Sequence, residues 1–184
     1  SAASIAATLS SGSLRMSFSS EGKATADPTR GLEKALKPKP AVKRHAMVGP
    51  AGLADLVKAI GAYDGDAMTR LALQFTLLTG VRTAECRFME WTEVEDKLWR
   101  IPPERMKMRR EHLVPLSNQA MATLEDARKV GHGRYVFSST RGETLSANTM
   151  IFALYRMGFH SRQTVHGFRR LFSTVLNENG VDAS

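Results

Sequence analysis

The stretch that decides the fold is residues 71–91, which read LALQFTLLTGVRTAECRFMEW. Its first half is apolar on most sides of a helix, as expected for a helix buried in a core. Gly80 then supplies a common helix end, and Thr83 is a possible start for the next helix. Arg82 stands between the two. The segment therefore predicts a buried helix, a turn that projects a guanidinium, and a second helix.

Helical spacing of apolar residues recurs along the rest of the chain. It predicts helices at residues 52–62, 69–79, 83–91, 119–129, 147–157 and 165–179, with Ser117 and Ser146 as N-caps. Shorter apolar stretches predict strands at residues 94–101, 106–108 and 112–116. The pattern is mainly helical with one small antiparallel sheet of three strands, so we expect an α+β fold.

The amino-terminal residues differ in composition from the rest. Residues 1–36 begin serine-rich, and this stretch reads as either a terminal helix or a disordered tail. Residues 37–46 contain the run KPKP, in which proline restricts both itself and its predecessor, and we assign them to an extended linker. Residues 47–184 then form one domain.

Charge narrows the class of partner. The 184 residues contain 26 Lys and Arg against 18 Asp and Glu, which gives a net charge of +8 and favours a polyanion, nucleic acid before an anionic membrane. A basic protein that binds neither is the alternative. The single cysteine, Cys86, fits a reducing compartment and a buried position. No signal peptide and no run of about 20 apolar residues is evident. We therefore expect a soluble cytoplasmic protein.

Two basic features in the first 110 residues could bind a phosphate or take part in a reaction. Arg82 could place its guanidinium on a phosphate, with Glu85 to orient it; a surface arginine is the alternative. Residues 105–110 read RMKMRR. If the two methionines pack inward from a strand, Arg105, Lys107 and Arg109 share the outer side. Spacing alone selects none of the three, and a solvated basic edge is equally compatible.

His166 and Arg169 form the third feature. They are three residues apart in the sequence VHGFRR, so in a helix both side chains leave one face, where they could grip a phosphate and move a proton. Phe168 would seat that helix and leave His166, Arg169 and Arg170 outside. A structural histidine is the alternative. The sequence has no zinc-type His or Cys spacing and no glycine-rich phosphate loop, so we expect no metal and no cofactor.

Taken in order, residues 71–91, 101–117 and 164–174 resemble the tyrosine recombinase, or phage-type integrase, family. The first carries LLTGVRTAECRFMEW, the second is IPPERMKMRREHLVPLS, and the third contains VHGFRR. The second segment resembles the hairpin that presents that family's catalytic lysine. Three such segments in the family's order are far more specific than any one of them.

The resemblance implies a role for each residue. Arg82 and Arg169 would clamp the phosphate, Lys107 would protonate the departing 5′ oxygen, and His166 would assist proton transfer. The hairpin match selects Lys107 over its neighbours, and further DNA contacts would come from Arg105, Arg109, Arg110 and Arg170. The implied reaction is transesterification without metal or ATP: a tyrosine attacks, a 3′-phosphotyrosyl link forms, and a 5′ hydroxyl resolves it.

The resemblance also implies a setting. Partners would be double-stranded DNA at attachment sites and, for the full-length protein, further copies of itself, in the bacterial cytoplasm at the nucleoid, with mobile or phage DNA integrated. Residues 1–36 would be a remnant of the core-binding domain (its last helix) or a disordered tail, residues 37–46 the linker, and residues 47–184 a catalytic domain truncated before the nucleophile.

The nucleophile is the main departure from the family pattern. Tyr63, Tyr135 and Tyr155 all precede the VHGFRR segment, so none matches the family's tyrosine, which lies downstream. We therefore expect a fragment that is inactive alone. Two alternatives stay open: a non-catalytic DNA-binding module that retains the phosphate-binding cup, and a topoisomerase-like relative that nicks and reseals without recombining.

Overall fold

The computed structural model describes residues 45–106 and 108–180. They belong to one compact unit, Arg44–Ser184. The predicted tail and nearly all of the predicted linker lie outside the described residues, as does Lys107. The domain boundaries thus stay a prediction.

The described residues form a mainly helical domain with one small sheet. The helices are α1 (Leu53–Gly61), α2 (Ala67–Thr79), α3 (Thr83–Arg87), α4 (Asn118–Val130), α5 (Thr149–Arg156) and α6 (Val165–Glu178). The strands are β1 (Val94–Glu95), β2 (Leu98–Ile101) and β3 (His112–Pro115), and single 3₁₀ turns occupy Pro50–Gly52, Trp91–Glu93 and Pro103–Arg105. The sheet order is β1-β2-β3, with both pairs antiparallel. The predicted α+β class with a three-stranded antiparallel sheet is confirmed.

Local capping chemistry explains several of the helix boundaries. Gly80 ends α2 in the left-handed region, at φ 63°, where its N–H donates to the carbonyl of Thr76. The Ser117 hydroxyl accepts from the backbone N–H of Ala120 at the start of α4, as predicted. The prediction for Ser146 is wrong: α5 begins after Asn148, and the Ser146 hydroxyl instead hydrogen-bonds Thr149.

The strand predictions required two corrections. Residues 94–101 are not one strand but a hairpin, because the chain turns at Asp96, whose φ is 51°. Residues 106 and 108 lie in a bend and a turn, so the strand predicted at 106–108 is wrong. The partner of β2 is β3, with Trp99 opposite Val114. The intervening loop starts with two prolines, which cannot donate to a strand ladder.

The predicted helix at residues 83–91 is shorter than expected. It ends at Arg87, because the chain after it is bonded to residues 134–136. Val136 donates its N–H to the carbonyl of Met89, at 2.9 Å, and Trp91 donates to that of Arg134, at 3.2 Å. These bonds replace the last predicted turn.

The core is built around α2, which packs against α1, α4, α5 and α6. Phe75 lies at its centre, with ring centroids 5.7 Å from Trp99 and 5.2 Å from Phe137. All three side chains are fully buried. Cys86 is also buried, as predicted, and burial raises the pKa of its thiol to about 12. This core fixes both ends of the turn that carries Arg82.

Candidate phosphate-binding site

The side chain of Arg82 projects from the turn between α2 and α3. Its backbone is extended, and its N–H donates to one carboxylate oxygen of Glu85 at 2.7 Å. Its guanidinium donates to the other oxygen, at 2.6 Å. The Glu85 side chain is 5% exposed and that of Arg82 is 47% exposed. A nearly buried carboxylate therefore orients the guanidinium while about half of the Arg82 side chain stays open to solvent, as the role expected for Glu85 requires.

The start of α6 holds the other predicted residues. The Thr164 hydroxyl caps the helix by accepting from the backbone N–H of Gly167, at 3.0 Å. Val165 and Phe168 are buried, whereas His166, Arg169 and Arg170 are exposed. The helix thus presents these three basic side chains to solvent.

His166 and Arg82 line one pocket of about 450 Å³, which we call the first pocket. Although His166 is exposed overall, partial burial of its ring in this pocket lowers its pKa, and nearby His45 and Arg82 lower the pKa further. A neutral imidazole beside a guanidinium can accept a proton when an anion binds, because the anion offsets the repulsion. The other lining residues are His45, Thr83, Ala84, Arg87, Ala147, Asn148, Ile151, Tyr155, Thr164 and Val165.

Arg169 lines a second pocket, of about 600 Å³, together with His112 of β3 and Phe172 of α6. Its guanidinium donates to the carbonyl of Gly80, at 3.4 Å. A Cβ on Gly80 would come within 2.7 Å of the Phe172 ring. Arg169 thus contacts the turn that carries Arg82, and a glycine lets α6 approach that turn closely.

The basic loop between β2 and β3 differs from expectation. Lys107 lies outside the described residues. Met108 is 76% exposed, whereas Met106 packs partly against the core, so the two methionines do not both point inward. Arg105 is turned inward, donates to the carbonyl of Phe88 and pairs with Glu93. The prediction that Arg105 shares an outer face with Lys107 and Arg109 is therefore wrong for Arg105. Arg109 and Arg110 are exposed.

His45 is a residue at this site that sequence reasoning missed. Its ring centroid lies 4.9 Å from that of His166, with 32° between the planes, and it lines the first pocket. It falls within the predicted linker, far from His166 in sequence. No local motif marks it, since only the folded chain brings the two rings together.

The three tyrosines differ in position. Tyr63 is buried, and its hydroxyl accepts from Arg156 at 3.3 Å. Tyr135 pairs with Glu90 in an isolated bridge. Tyr155 is 38% exposed, lines the first pocket and packs edge-on against His160.

Two further properties concern the described part of the chain. Among residues 45–106 and 108–180, no three His, Cys, Asp or Glu side chains are grouped so as to hold a metal ion. Across those same ranges, no helix has both the length and the apolar character needed to cross a membrane.

Comparison with known proteins identifies related sequences. The model of the phage integrase family matches residues 51–184. Prophage integrase IntZ of Escherichia coli (strain K12) is 42% identical over 120 residues, covering 63% of this chain and 30% of that protein. The integrase of Enterobacteria phage P4 is 38% identical over 146 residues, covering 69% of this chain and 33% of that protein. The chain spans about a third of the length of these curated relatives.

Solved structures show the same fold at lower identity. A lambda integrase tetramer bound to a Holliday junction matches with a TM-score of 0.65 and 20% identity, covering 81% of this chain and 47% of that chain. XerA recombinase matches with a TM-score of 0.60 and 18% identity, covering 80% of this chain and 54% of that chain. With the family model matching most of the chain, the conclusion is direct: this chain belongs to the phage integrase family.

Proposed function

We propose that this chain supplies the catalytic module of a site-specific DNA recombinase, in which Arg82, His166 and Arg169 bind the phosphate that is cleaved. The observation that carries the proposal is the pairing of Arg82 and His166 in one pocket, with Arg169 contacting the turn that holds Arg82. Family membership supports it.

The charges suit phosphoryl transfer. Displacement at a phosphodiester builds negative charge on the non-bridging oxygens, and preorganised cations stabilise that charge. The Glu85 carboxylate orients Arg82 before DNA arrives, so little reorganisation is required. Because its pKa is lowered, His166 is held neutral near neutral pH, and its ring therefore has a nitrogen free to accept a proton at the phosphate.

Two groups complete the proposed reaction. Lys107, which follows β2 and precedes β3 in the sequence, would protonate the departing 5′ oxygen. A tyrosine of the whole protein would attack the phosphate and hold it as a 3′-phosphotyrosyl link, which a 5′ hydroxyl then resolves. Each step exchanges one phosphate ester for another, so it requires neither metal nor ATP.

The proposed partner is double-stranded DNA. Arg109, Arg110 and Arg170 are exposed and would contact backbone phosphates, which confer affinity rather than sequence selectivity. Arg105 is better placed to hold the loop than to reach DNA, because Glu93 and the carbonyl of Phe88 engage it. Further copies of the protein on DNA, integration of mobile DNA, and action at the bacterial nucleoid belong to the same proposal.

A covalent-adduct assay tests this function. A protein extended to the length of its relatives is incubated with nicked duplexes that carry the junction sequences of its own element. We expect a denaturant-resistant protein–DNA adduct that Arg82→Ala abolishes and Arg128→Ala, on the last turn of α4, preserves.

Other outcomes would point elsewhere. DNA binding without any adduct would contradict catalysis and support a non-catalytic DNA-binding module. Relaxation of supercoils without strand exchange would support a topoisomerase-like enzyme.

A further inference from the structure

The segment that precedes the first helix is tied to the start of α6. We call residues 45–48 the strap. The carbonyl of Ala46 accepts from the backbone N–H of Thr164 at 3.0 Å and from its hydroxyl at 3.3 Å. Val48 donates its N–H to the side-chain oxygen of Gln163 at 2.8 Å. Gln163 is fully buried. The strap is therefore bonded to the turn that starts the helix carrying His166.

A glycine makes this contact possible. A Cβ on Gly167 would lie 2.4 Å from the carbonyl oxygen of Ala46, well under the closest approach that real Cβ atoms show. The strap thus lies close against the first turn of α6 at Gly167, which directly follows His166. The position of Ala46 there limits where His45, the residue before it, can reach.

His45 reaches the first pocket from the strap. It is exposed, and its ring lies against that of His166. The titratable and charged groups that line the pocket with it are His166 from α6, Arg82 and Arg87 from the start and end of α3, and Tyr155 from α5. Arg87 already donates to the carbonyl of Leu145, at 2.5 Å.

Among the described residues that line the pocket, none is an Asp or Glu that could balance these groups. The nearby carboxylate of Glu85 is engaged by Arg82. Two imidazole rings in contact with a guanidinium beside them form a site that favours an anion, because like charges repel and an opposite charge offsets that repulsion. A phosphodiester suits such a site, since its oxygens accept several charged donors at once.

We propose that His45 is a further phosphate-binding residue of the first pocket, supplied by the strap and held in place by Ala46 and Val48. The inference rests on the proposed function, because the phosphate is that of DNA. If so, one residue that binds the phosphate, His45, lies outside the three segments that resemble the family. Because the strap positions His45 at the phosphate, bound DNA should stabilise the contact between the strap and α6, and that contact should in turn raise the affinity for DNA.

The test is the salt dependence of duplex binding by the 184-residue chain, measured by fluorescence anisotropy at about pH 5.5 and about pH 8. Imidazoles are charged near the lower pH and neutral near the higher. His45→Phe keeps a ring against His166 and removes the charge. At the lower pH we expect it to bind about three- to tenfold more weakly, with a shallower slope of log K against log salt. At the higher pH its slope should match that of the original chain.

The controls separate the inference from the proposed function. His132→Phe changes a histidine that lines neither pocket and should leave the slope unchanged. If Arg82→Ala weakens binding while His45→Phe is neutral at both pH values, the inference is wrong and the proposed function stands. If neither variant matters, the proposed function fails too. An equal loss at both pH values with an unchanged slope means that His45 only packs, which also overturns the inference.

Discussion

Replacing Gly167 by alanine should destabilise the domain, although alanine is the better helix former. A Cβ there would meet the carbonyl oxygen of Ala46 at 2.4 Å and the side-chain nitrogen of Gln163 at 2.7 Å. The first atom is backbone and cannot swing away, so the strap must shift. Overpacking of this kind costs about 1–3 kcal/mol. Loss of the bond from Thr164 to Ala46 adds about 1 kcal/mol.

The gain in helix propensity offsets part of that cost. Alanine is favoured over glycine in a helix by about 1 kcal/mol. The net expectation is a free energy of unfolding lower by about 1–3 kcal/mol, the balance of the clash, the lost bond and the propensity. Urea denaturation followed by tryptophan fluorescence measures it as a lower midpoint at unchanged slope.

Gly61→Ala is the matched control for this measurement. Gly61 is the last residue of α1, and an added Cβ there meets nothing within 4 Å. We expect that variant to be unchanged or up to about 1 kcal/mol more stable. If Gly167→Ala is as stable as Gly61→Ala, the close approach of the strap to α6 is wrong.

Three further predictions concern single side chains. Cys86 is fully buried and its pKa is raised to about 12, so it should resist a thiol reagent at about pH 8 until the chain is unfolded. The lowered pKa of His166 means that the unfolded chain binds its proton more readily; stability should therefore fall as pH drops through about 6.5, and less so in His166→Gln. Equal slopes of unfolding free energy against pH in both proteins would contradict this. Glu93 accepts from the Trp99 indole at 3.0 Å and pairs with Arg105, so Glu93→Gln should lower the free energy of unfolding by about 2 kcal/mol, measured by urea denaturation; a change near zero would refute the role of this pair in anchoring the loop.

Local chemistry explains why much of the helical frame was predictable. Gly80, Ser117 and the apolar run before Gly80 are signals that act within a few residues, and the structure follows them. The predicted placement of Arg82 on a turn rests on the same signals. Helix α6 was predictable for the same reason, because the buried Phe168 and Leu171 repeat at helical spacing.

Long-range contacts explain what sequence reasoning missed. The end of α3 is set by bonds from residues 134–136 to the chain after Phe88, which no local pattern reveals. Arg105 looks like one more surface cation in RMKMRR, yet the Phe88 carbonyl and Glu93 turn it inward. His45 reaches the first pocket only because Gly167 leaves room for the strap. Each depends on a partner distant in sequence.

The central claim is that Arg82 and Arg169 bind the DNA phosphate that is cleaved. The most direct test is the salt dependence of duplex binding by this chain and by the double variant Arg82→Ala, Arg169→Ala. The control removes the same charge from the last turn of α4, with Arg128→Ala and Lys129→Ala. If the two arginines together neutralise that phosphate, the slope of log K against log salt falls in magnitude by about one unit in the double variant and stays near the original value in the control. A double variant with the slope and affinity of the control would contradict the claim.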